Sequence, residues 1–379
     1  MSTWVKKNIS AVRATSEASL RRCPSRNLGD VPRPGAAPVR LILALAFAVL
    51  GAVVWAGEAR VVLFPAYGFP APDGKHWIVN VRVWVYEPEE HSVLRGGLIA
   101  TLREMAPVSE EDEKSPFFNE RARLFLVDNE RGRRPRVEVG GRKVTLGPTD
   151  PGGQTEGQIL LPMSAGKAGD DLPARVRLSS RGRPVHGTVR LMGPAGVLVV
   201  SDIDDTIKIS SVTNREELLA NTFFRPWRAV PGMADLYRWW GEPGAEFHYL
   251  SGSPWQLQGP LSAFLKKDGF PPGIFHLRRF RLKDGNKTEF FGDPAEHKKR
   301  ILKRLLREFP ARVFVLVGDD GEKDPEIYGE IARRHPGRVK AIFIRRAAGS
   351  SDGKRYETAF QSLPADRWRV FSDPAEIMP

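Results

Sequence analysis

Three carboxylates stand within four positions after an apolar run, in the stretch VLVVSDIDDTIKIS at residues 197–210. Asp202, Asp204 and Asp205 carry like charges, which repel at this spacing unless a cation or a proton compensates them. Alternate residues of an extended chain share a face, so Asp202 and Asp204 are predicted to point the same way. Mg²⁺ favours a few carboxylates together with water and phosphate oxygens. The stretch therefore indicates a site where carboxylates meet a metal ion and a phosphoryl group, and Asp205 is expected only to make local hydrogen bonds.

A third carboxylate for the metal is available in GDDGEKD at 318–324, which follows another apolar run. We expect Asp319 to be the ligand there, with Asp324 or Asp320 supporting it. Asp320 and Glu322 are interpreted as solvated loop residues rather than ligands. Asp324 precedes Pro325 and could also cap the next helix.

Two further stretches could hold the phosphate. In HYLSGSPWQL at 248–257 a strand is predicted to end at Ser251, with Gly252 next and a helix beginning at Pro254. A hydroxyl and free backbone N–H groups near a helix start can cradle an anion. A second helix opens with EHKKRILKRLL, where Lys298 is the preferred phosphate ligand and its neighbour Lys299 the alternative.

Together these groups predict covalent phosphoryl transfer. Asp202 would attack phosphorus and form an aspartyl-phosphate, as carboxylate nucleophiles do. Asp204 would protonate the leaving alkoxide and then take a proton from the attacking water. Ser251 and Lys298 would hold the oxygens on which charge spreads in the transition state.

These motifs, in this order, resemble the four motifs of the haloacid-dehalogenase superfamily. A closer resemblance is to the catalytic domain of the actin-patch phosphatidate phosphatases, which are related to the lipins, in SDIDDTIK, YLSGSPWQL, GFPPGIFHLRRF and VGDDGEKDPEIY. It covers roughly residues 193–360. It implies Mg²⁺-dependent dephosphorylation of phosphatidic acid to diacylglycerol.

Residue roles carry over from this resemblance by position. It implies that Asp202 is the nucleophile, Asp204 the acid and base, and Thr206 a support for Asp204. Phosphate would be bound by Ser251, Gly252 and Lys298. The metal would be held by Asp202, the backbone carbonyl of Asp204, Asp319 and Asp324.

The elements around these motifs predict the fold. From residue 193 onward, apolar runs at 197–200, 246–250, 312–317 and 339–344 alternate with helical patterns at 233–240, 255–267, 297–309 and 324–335. Continuous apolar strands between amphipathic helices predict an α/β domain with a parallel sheet covered on both faces. The resemblance implies that this sheet is Rossmann-like and of the haloacid-dehalogenase type, and the short stretch after the first motif predicts little or no cap. Sites of such sheets lie beyond the carboxyl ends of the strands.

Residues 59–192 have a different pattern. Period-two alternation at 77–86, 121–127, 136–146, 157–162, 174–180 and 187–192 predicts antiparallel strands. We interpret this part as a small β-sandwich-like accessory domain that precedes the catalytic domain at 193–379.

Residues 1–58 form a basic leader with the apolar run LILALAFAVLGAVVWA at 41–56. The run predicts a cleaved signal peptide, or else an N-terminal membrane anchor or a core helix. Either of the first two would make the protein extracytoplasmic, periplasmic or secreted, or anchored in the membrane. The chain has 379 residues and a net charge of +13, and much of the basic excess lies in this leader. No nucleic-acid partner is therefore expected. The single Cys23 excludes an intramolecular disulfide and a Cys-based zinc site.

Three functions remain open. The first, which the resemblance implies, is a phosphatidate phosphatase. The second is an extracytoplasmic phosphatase for soluble or protein phosphomonoesters, and the third is a lipid- or protein-binding module without catalysis. The basic run HLRRFRLK at 276–283 is either a solvated strand edge or a rim for an anionic phospholipid or membrane surface. Protein partners are not predicted.

Overall fold

The computed structural model describes residues 59–88, 112, 114–180, 182–242, 244–280, 294–347 and 353–378. Two β-sheets dominate these residues, one nine-stranded and one six-stranded. The leader at 1–58, with its predicted signal peptide or anchor, lies outside the described residues. Within the described part of the chain, no helix has the length and apolar character needed to cross a membrane.

The six-stranded sheet is parallel throughout, which confirms the predicted α/β class. Its strand order is β12-β11-β10-β13-β14-β15. The strands are β10 (Val197–Ser201), β11 (Glu246–Pro254), β12 (Ile274–Arg278), β13 (Val313–Asp319), β14 (Val339–Arg345) and β15 (Trp368–Phe371). The four predicted apolar runs are β10, β11, β13 and β14.

Both faces of this sheet are buried, because its apolar strands send alternate side chains into two cores. Val197 and Val199 enter one core and Leu198 and Val200 the other. Helices on both sides complete these cores, and an unbroken apolar run such as β10 requires this double cover. The helices of this part are α2 (Arg215–Leu219), α3 (Met233–Gly241), α4 (Gln258–Lys267), α5 (Ala295–Glu308), α6 (Asp324–Arg334) and α7 (Gly353–Ala359).

The nine-stranded sheet precedes it in the chain and has its own apolar core. Its path is β1-β3-β2-β9-β8-β5-β6, with β4 and β7 also pairing with β3. Neighbours are antiparallel except for β2 and β9. The strands are β1 (Arg60–Leu63), β2 (Ala66–Pro70), β3 (His76–Pro88), β4 (Val127–Asn129), β5 (Arg136–Val139), β6 (Arg142–Thr145), β7 (Gln154–Pro162), β8 (Asp171–Arg177) and β9 (Val185–Leu191). The β-rich character is confirmed, while the sandwich arrangement stays a prediction.

Two local predictions are wrong. The strand expected at 121–127 is instead the end of helix α1 (Pro116–Ala122) and a turn, and strand β4 begins only at Val127. Tertiary contacts favour the helix, because Arg121 Nη1 donates to the carbonyls of Thr222 and Arg225 at 2.8 Å each. The helix expected at Pro254 begins at Gln258, after a 3₁₀ turn over Trp255–Leu257.

The two sheets pack directly against each other. Tyr67 belongs to one of the parallel sheet's cores, and its hydroxyl donates to Glu308 Oε2 at 2.5 Å. Asn80 Nδ2 donates to the other oxygen of Glu308 at 3.0 Å. Burial raises the pKa of Tyr67 far above its usual value, so its hydroxyl stays protonated and donates. The boundary predicted between 59–192 and 193–379 therefore separates two sheets in close contact, and their independence as domains stays a prediction.

Candidate active site

The first two carboxylates of the opening stretch lie directly after the central strand β10, at the carboxyl edge of the parallel sheet. Strand pairing fixes Asp202 there, because its backbone N–H donates to the carbonyl of Val317 on β13 at 2.8 Å and so extends the ladder between the two strands. The side chain of Asp202 is buried, whereas that of Asp204 keeps 15% of its surface exposed. The two carboxylates have separate sets of partners.

Asp202, Asp319 and Asp324 form a buried cluster in which one oxygen from each lies within 4.8 Å of the others. They come from the ends of β10 and β13 and from the start of α6. Gly318 makes the approach of Asp324 feasible, because a Cβ at that position would stand 2.3 Å from Asp324 Oδ2. A side chain there would displace the carboxylate from the cluster.

The cluster fits a hard divalent cation such as Mg²⁺. All three donors are carboxylate oxygens, the ligand type that Mg²⁺ prefers. Asp319 Oδ1 accepts a hydrogen bond from the backbone N–H of Gly321 at 2.6 Å. Asp319 Oδ2 is buried and has no hydrogen-bond partner among the described residues. A buried carboxylate oxygen without a donor is costly, and a bound cation would compensate it.

Lys298, on the first turns of α5, reaches into this cluster. Its Nζ lies 2.8 Å from Asp202 Oδ1, 2.6 Å from Asp324 Oδ1 and 3.0 Å from Glu322 Oε2. Burial works to lower the pKa of Lys298, but the carboxylates of Asp202 and Asp324 raise it well above its usual value. Burial raises the pKa of Asp202 well above the ordinary range, and although Lys298 opposes this, the neighbouring carboxylates add to it.

The structure separates the two lysines that the sequence left as alternatives. Lys298 is buried in the carboxylate cluster. Lys299 instead points to the outside of the helix, where its Nζ lies 3.0 Å from Glu330 Oε2 and 3.7 Å from Glu296 Oε1. Of the two, Lys298 is therefore the one placed to meet a group bound at Asp202.

Asp204 is held by a different set of donors. Ser251 Oγ and Ser253 Oγ donate to its Oδ2 at 2.9 and 3.0 Å. Ser210 Oγ donates to its Oδ1 at 2.7 Å, and Lys208 Nζ lies 2.8 Å from the same oxygen. Burial alone would raise the pKa of Asp204, but Lys208 and the hydroxyl donors outweigh it and lower this pKa to about 2.

The family resemblance implied that Thr206 supports Asp204, but the structure shows a different contact. The Thr206 hydroxyl donates to Asp202 Oδ2 at 3.1 Å instead. The reason is a tight turn after the motif, in which the backbone N–H groups of Ile207 and Lys208 both donate to the carbonyl of Ile203. Because of this turn, the Thr206 side chain lies next to Asp202, and its hydrogen bond orients the Asp202 carboxylate.

Asp205 organises the loop and is not part of either cluster. Its Oδ1 accepts from the backbone N–H groups of Ser210 and Ser211 at 2.8 and 2.9 Å, and its Oδ2 from that of Val212 at 2.6 Å. Its φ of +54° lies in the left-handed region, which Asp tolerates better than most residues. The local hydrogen bonds expected of this residue are confirmed.

Ser251 and Gly252 lie in a bulge of β11 rather than at its end. Leu250 pairs with His276 and Pro254 with Arg278, so three residues of β11 stand opposite a single residue of β12. The bulge brings Ser251 and Ser253 together beside Asp204, and Ser251 Oγ also accepts from the backbone N–H of Ser253 at 2.9 Å. A Cβ on Gly252 would come within 3.1 Å of Pro294.

Four polar residues at this site were not predicted to take part in it. They are Lys208, Ser210, Ser253 and Glu322. Lys208 carried the clearest signal, since it stands between two isoleucines directly after the motif, where a solvated lysine is out of place. Glu322 was interpreted as a solvated loop residue, but it pairs with Lys298. Asp320 was also interpreted as a solvated loop residue, but it is buried. It accepts hydrogen bonds from the backbone N–H of Ala347 at 2.7 Å and from the Tyr356 hydroxyl, and it is not part of the carboxylate cluster.

Comparison with known proteins places this site in a matched segment. Residues 197–346 match the family model described as "Phosphatidate phosphatase APP1, catalytic domain". An uncharacterized protein of Schizosaccharomyces pombe is 34% identical over 175 residues, which cover 45% of this chain and 28% of that protein. Phosphatidate phosphatase APP1 of Saccharomyces cerevisiae is 30% identical over 197 residues, which cover 48% of this chain and 32% of that protein. The resemblance predicted from the motifs is thereby confirmed for this segment.

The matched region spans about a third of the length of these two fungal relatives. Among solved structures, a β-glucuronidase of Parabacteroides merdae aligns with a TM-score of 0.24 and 11% identity, over 76% of this chain and 35% of that one. A likeness this weak supports no conclusion about the fold or the function.

The location predicted from the leader is wrong. An extracytoplasmic protein, or one anchored in the membrane by residues 41–56, is contradicted by the similarity to the yeast phosphatidate phosphatase APP1. Residues 41–56 themselves lie outside the described residues. The misleading signal was an apolar run with a basic residue in front, which composition alone cannot distinguish from a targeting segment.

Proposed function

We propose that this chain is a Mg²⁺-dependent phosphatidate phosphatase, which converts phosphatidic acid to diacylglycerol and phosphate through an aspartyl-phosphate. The observation that carries the proposal is the different surroundings of two neighbouring carboxylates. Asp202 lies in a buried cluster with Asp319, Asp324 and Lys298, while Asp204 is held apart by hydroxyl groups and a second lysine. A nucleophile and a proton carrier need such different surroundings.

Asp202 is suited to be the nucleophile. Thr206 and Lys298 hold its two oxygens in place, which fixes the direction of attack. One carboxylate oxygen would form a bond to phosphorus while the bond from phosphorus to the glycerol oxygen breaks. Water would then attack the aspartyl-phosphate, restoring the carboxylate and releasing phosphate.

Asp204 is suited to move the proton in both steps. It would donate a proton to the departing glycerol oxygen and later accept one from the attacking water. In the free site Lys208 and the serine hydroxyls keep Asp204 ionised, with a pKa of about 2. The negative charge of an arriving phosphate raises this pKa, because like charges favour the protonated carboxyl. Ser251 and Ser253, which contact Asp204, and the backbone of Gly252 between them would bind the phosphate oxygens.

The metal would be held by Asp202, Asp319, Asp324 and the backbone carbonyl of Asp204. When bound, Mg²⁺ supplies positive charge that offsets the phosphate oxygens and the developing transition-state charge. Lys298 supplies a second, fixed positive charge beside the nucleophile. The unpartnered Oδ2 of Asp319 is the feature that most favours a cation at this position.

A haloacid-dehalogenase type of fold with little or no cap suits a lipid substrate. The stretch from Ser210 to Ala245 is where a cap could be inserted. In the described residues its apolar side chains, including Phe223, Leu236 and Trp240, pack into the core of the parallel sheet rather than into a separate unit. Without a cap, the partly exposed Asp204 would be open to a headgroup at an anionic phospholipid or membrane surface, and we propose such a surface as the partner.

The test is phosphate release from phosphatidic acid in detergent micelles with Mg²⁺. Asp202→Asn keeps the shape of the side chain but removes the nucleophilic charge, so we expect turnover to be lost. Asp366→Asn is the matched control, because Asp366 is exposed on the same part of the chain and should retain full activity.

Three results would contradict the proposal in different ways. Equal activity of Asp202→Asn and the wild type would refute the assigned nucleophile. Hydrolysis of water-soluble phosphomonoesters alone would refute the lipid substrate. No hydrolysis of either class by the wild type would leave the non-catalytic binding module as the function.

A further inference from the structure

A second charged site lies between the two sheets, away from the carboxylate cluster. It is a cavity of about 820 Å³, bounded by β3 and β7 of the nine-stranded sheet and by β12 and α5 of the parallel sheet. We call it the basic pocket, after its five arginines: Arg82, Arg278, Arg279, Arg300 and Arg304. Among the described residues that line it, the only carboxylates are Glu156 and Glu308. These described residues therefore carry five positive charges and two negative ones.

The two histidines that line the basic pocket, His276 and His297, are uncharged and accept hydrogen bonds from its arginines. Burial lowers the pKa of His276 well below its usual value and lowers that of His297 to about 4. Both imidazoles are therefore neutral at pH 7. Arg300 Nη2 donates to His297 Nδ1 at 3.1 Å, and Arg304 Nη2 donates to His276 Nδ1 at 3.0 Å. A neutral acceptor orients a guanidinium group without cancelling its charge.

At the outer side of the pocket, two arginines share one carboxylate. Glu156 pairs with Arg82 through one oxygen and lies 3.4 Å from Arg279 through the other. Arg279 also lies 2.9 Å from Asp150, which stands outside the pocket lining. Arg279 and Glu156 are each half-exposed, so the pair between them is weak and a stronger anion can replace it.

At the inner side, the carboxylate compensates the arginines only in part. Glu308 already accepts from the Tyr67 hydroxyl and from Asn80 Nδ2, and it lies 3.8 Å from Arg304 Nε. Arg304 Nε is buried and has no hydrogen-bond partner within the described ranges. Among those residues, Arg300 also has no carboxylate within ion-pairing distance. A buried donor without an acceptor is unfavourable, and a bound anion would satisfy it.

The basic pocket is separate from the catalytic cluster but shares a wall with it. On α5, His297 lines the pocket, whereas the next residue, Lys298, points into the carboxylates. On β12, the Arg278 side chain belongs to the pocket, and its Cδ is 3.9 Å from where a Cβ on Gly252 would lie.

We propose that the basic pocket binds a phosphate-bearing anion at a second site, distinct from the carboxylate cluster. Guanidinium groups bind phosphate with paired hydrogen bonds, which makes arginine the side chain best suited to this ligand. The cavity falls in the size range of small-molecule sites and has room for more than one phosphate group. The proposal does not depend on the phosphatase activity, because it concerns binding at different residues.

The test is calorimetric titration of the full chain with tripolyphosphate in buffer containing EDTA. Without metal, the catalytic carboxylates repel a polyanion, so binding reports the basic pocket. The variant Arg279→Gln/Arg300→Gln removes two exposed arginines of the pocket. The matched control is Arg307→Gln/Arg334→Gln, which changes the net charge equally at exposed positions outside the pocket lining.

We expect binding by the wild type and by the control, and at least about tenfold weaker binding by the pocket variant, since each charge-assisted hydrogen bond is worth roughly a factor of ten or more. Equal weakening in both variants would show general charge attraction and overturn the proposal. Unchanged affinity in the pocket variant, or no binding by the wild type, would overturn it as well.

A second titration distinguishes the source of the phosphate. The probes are soluble inositol trisphosphate and vesicles that contain phosphatidylinositol bisphosphate. Binding of the soluble compound that weakens in the pocket variant supports a free phosphorylated ligand. Binding of the vesicles alone, again weakened in the pocket variant, supports a lipid headgroup. If the pocket variant and the control bind both probes with equal affinity, a phosphate site at this pocket is contradicted.

Discussion

Replacing Lys208 with methionine should destabilise the protein by removing the cation that pairs with Asp204. Lys208 is 2% exposed, and its Nζ lies 2.8 Å from Asp204 Oδ1 and 5.4 Å from the centre of the Trp227 ring. Methionine is an unbranched side chain of nearly the same length, so packing is largely retained. The substitution therefore isolates the charge.

The size of the effect follows from the ion pair. Against the opposing effect of burial, Lys208 and the hydroxyl donors together lower the pKa of Asp204 from 3.8 to about 2, and a net shift of this size corresponds to about 2 kcal/mol of stability at neutral pH. Removing one partner of a buried pair also leaves the other charge uncompensated, which typically costs about 3–5 kcal/mol. Because Asp204 keeps 15% of its side chain exposed, we expect the lower end of this range, about 3 kcal/mol.

The assay is urea unfolding of the wild type and Lys208→Met between pH 7 and pH 3. In the wild type, a depressed pKa contributes stability that is present above the unfolded pKa of 3.8 and is lost as the pH falls towards 2. In the variant, the uncompensated carboxylate has a raised pKa, so protonation at lower pH relieves the penalty. The difference between the two proteins should be largest at pH 7 and shrink as the pH falls.

Lys299→Met is the control, because Lys299 pairs with Glu330 at the helix surface, where an ion pair contributes at most about 1 kcal/mol. A loss in Lys208→Met no greater than in this control would refute the assigned role of the pair. A loss independent of pH would show that packing, not charge, accounts for the effect.

The remaining predictions concern the metal and a buried histidine. Adding Mg²⁺ should raise the unfolding temperature of the wild type, because a ligand that binds only the folded state stabilises it. Asp319→Asn should abolish this increase. An equal increase in the wild type and the variant would contradict the metal site. The His297 imidazole, with a pKa of about 4 against 6.5 for the free side chain, takes up a proton only on unfolding between these values. His297 should therefore contribute about 1.4 kcal/mol per pH unit to a loss of stability below the ordinary histidine pKa, and His297→Gln should reduce the slope in urea unfolding by this amount. The buried His248 and His276 also have lowered pKa values, so the rest of the decline should remain. A slope that is the same in His297→Gln and the wild type would show that His297 does not titrate in this range.

The sequence by itself determined the α/β class and the positions of the reacting groups along the chain. Apolar runs such as 197–200 can be recognised because a strand buried on both faces has to be apolar throughout. The motif residues Asp202, Ser251 and Asp319 follow such runs, so their meeting at one edge of the sheet was predictable from topology. The strand β12 was not predicted as a buried sheet strand, because its basic residues resemble those of a solvated edge.

Only the tertiary structure decided which groups contact each other at the site. Lys298 and Lys299 are adjacent residues of the same type, so the sequence does not distinguish them. The orientation of α5 places Lys298 in the carboxylate cluster and Lys299 on the surface. Thr206 meets Asp202 because a turn of the backbone reverses the chain there.

The same reason explains why the basic pocket as a whole could not be recognised in the sequence, although the basic run at 276–283 contains two of its arginines. Arg82 comes from β3, which is far away in the chain from the other four arginines at the end of β12 and on α5. Each arginine alone resembles an ordinary surface residue, and a shared cavity arises only when the two sheets pack. Local sequence patterns determine the helices and strands and their order. Contacts between elements that are distant in the chain depend on tertiary packing, which local patterns do not show.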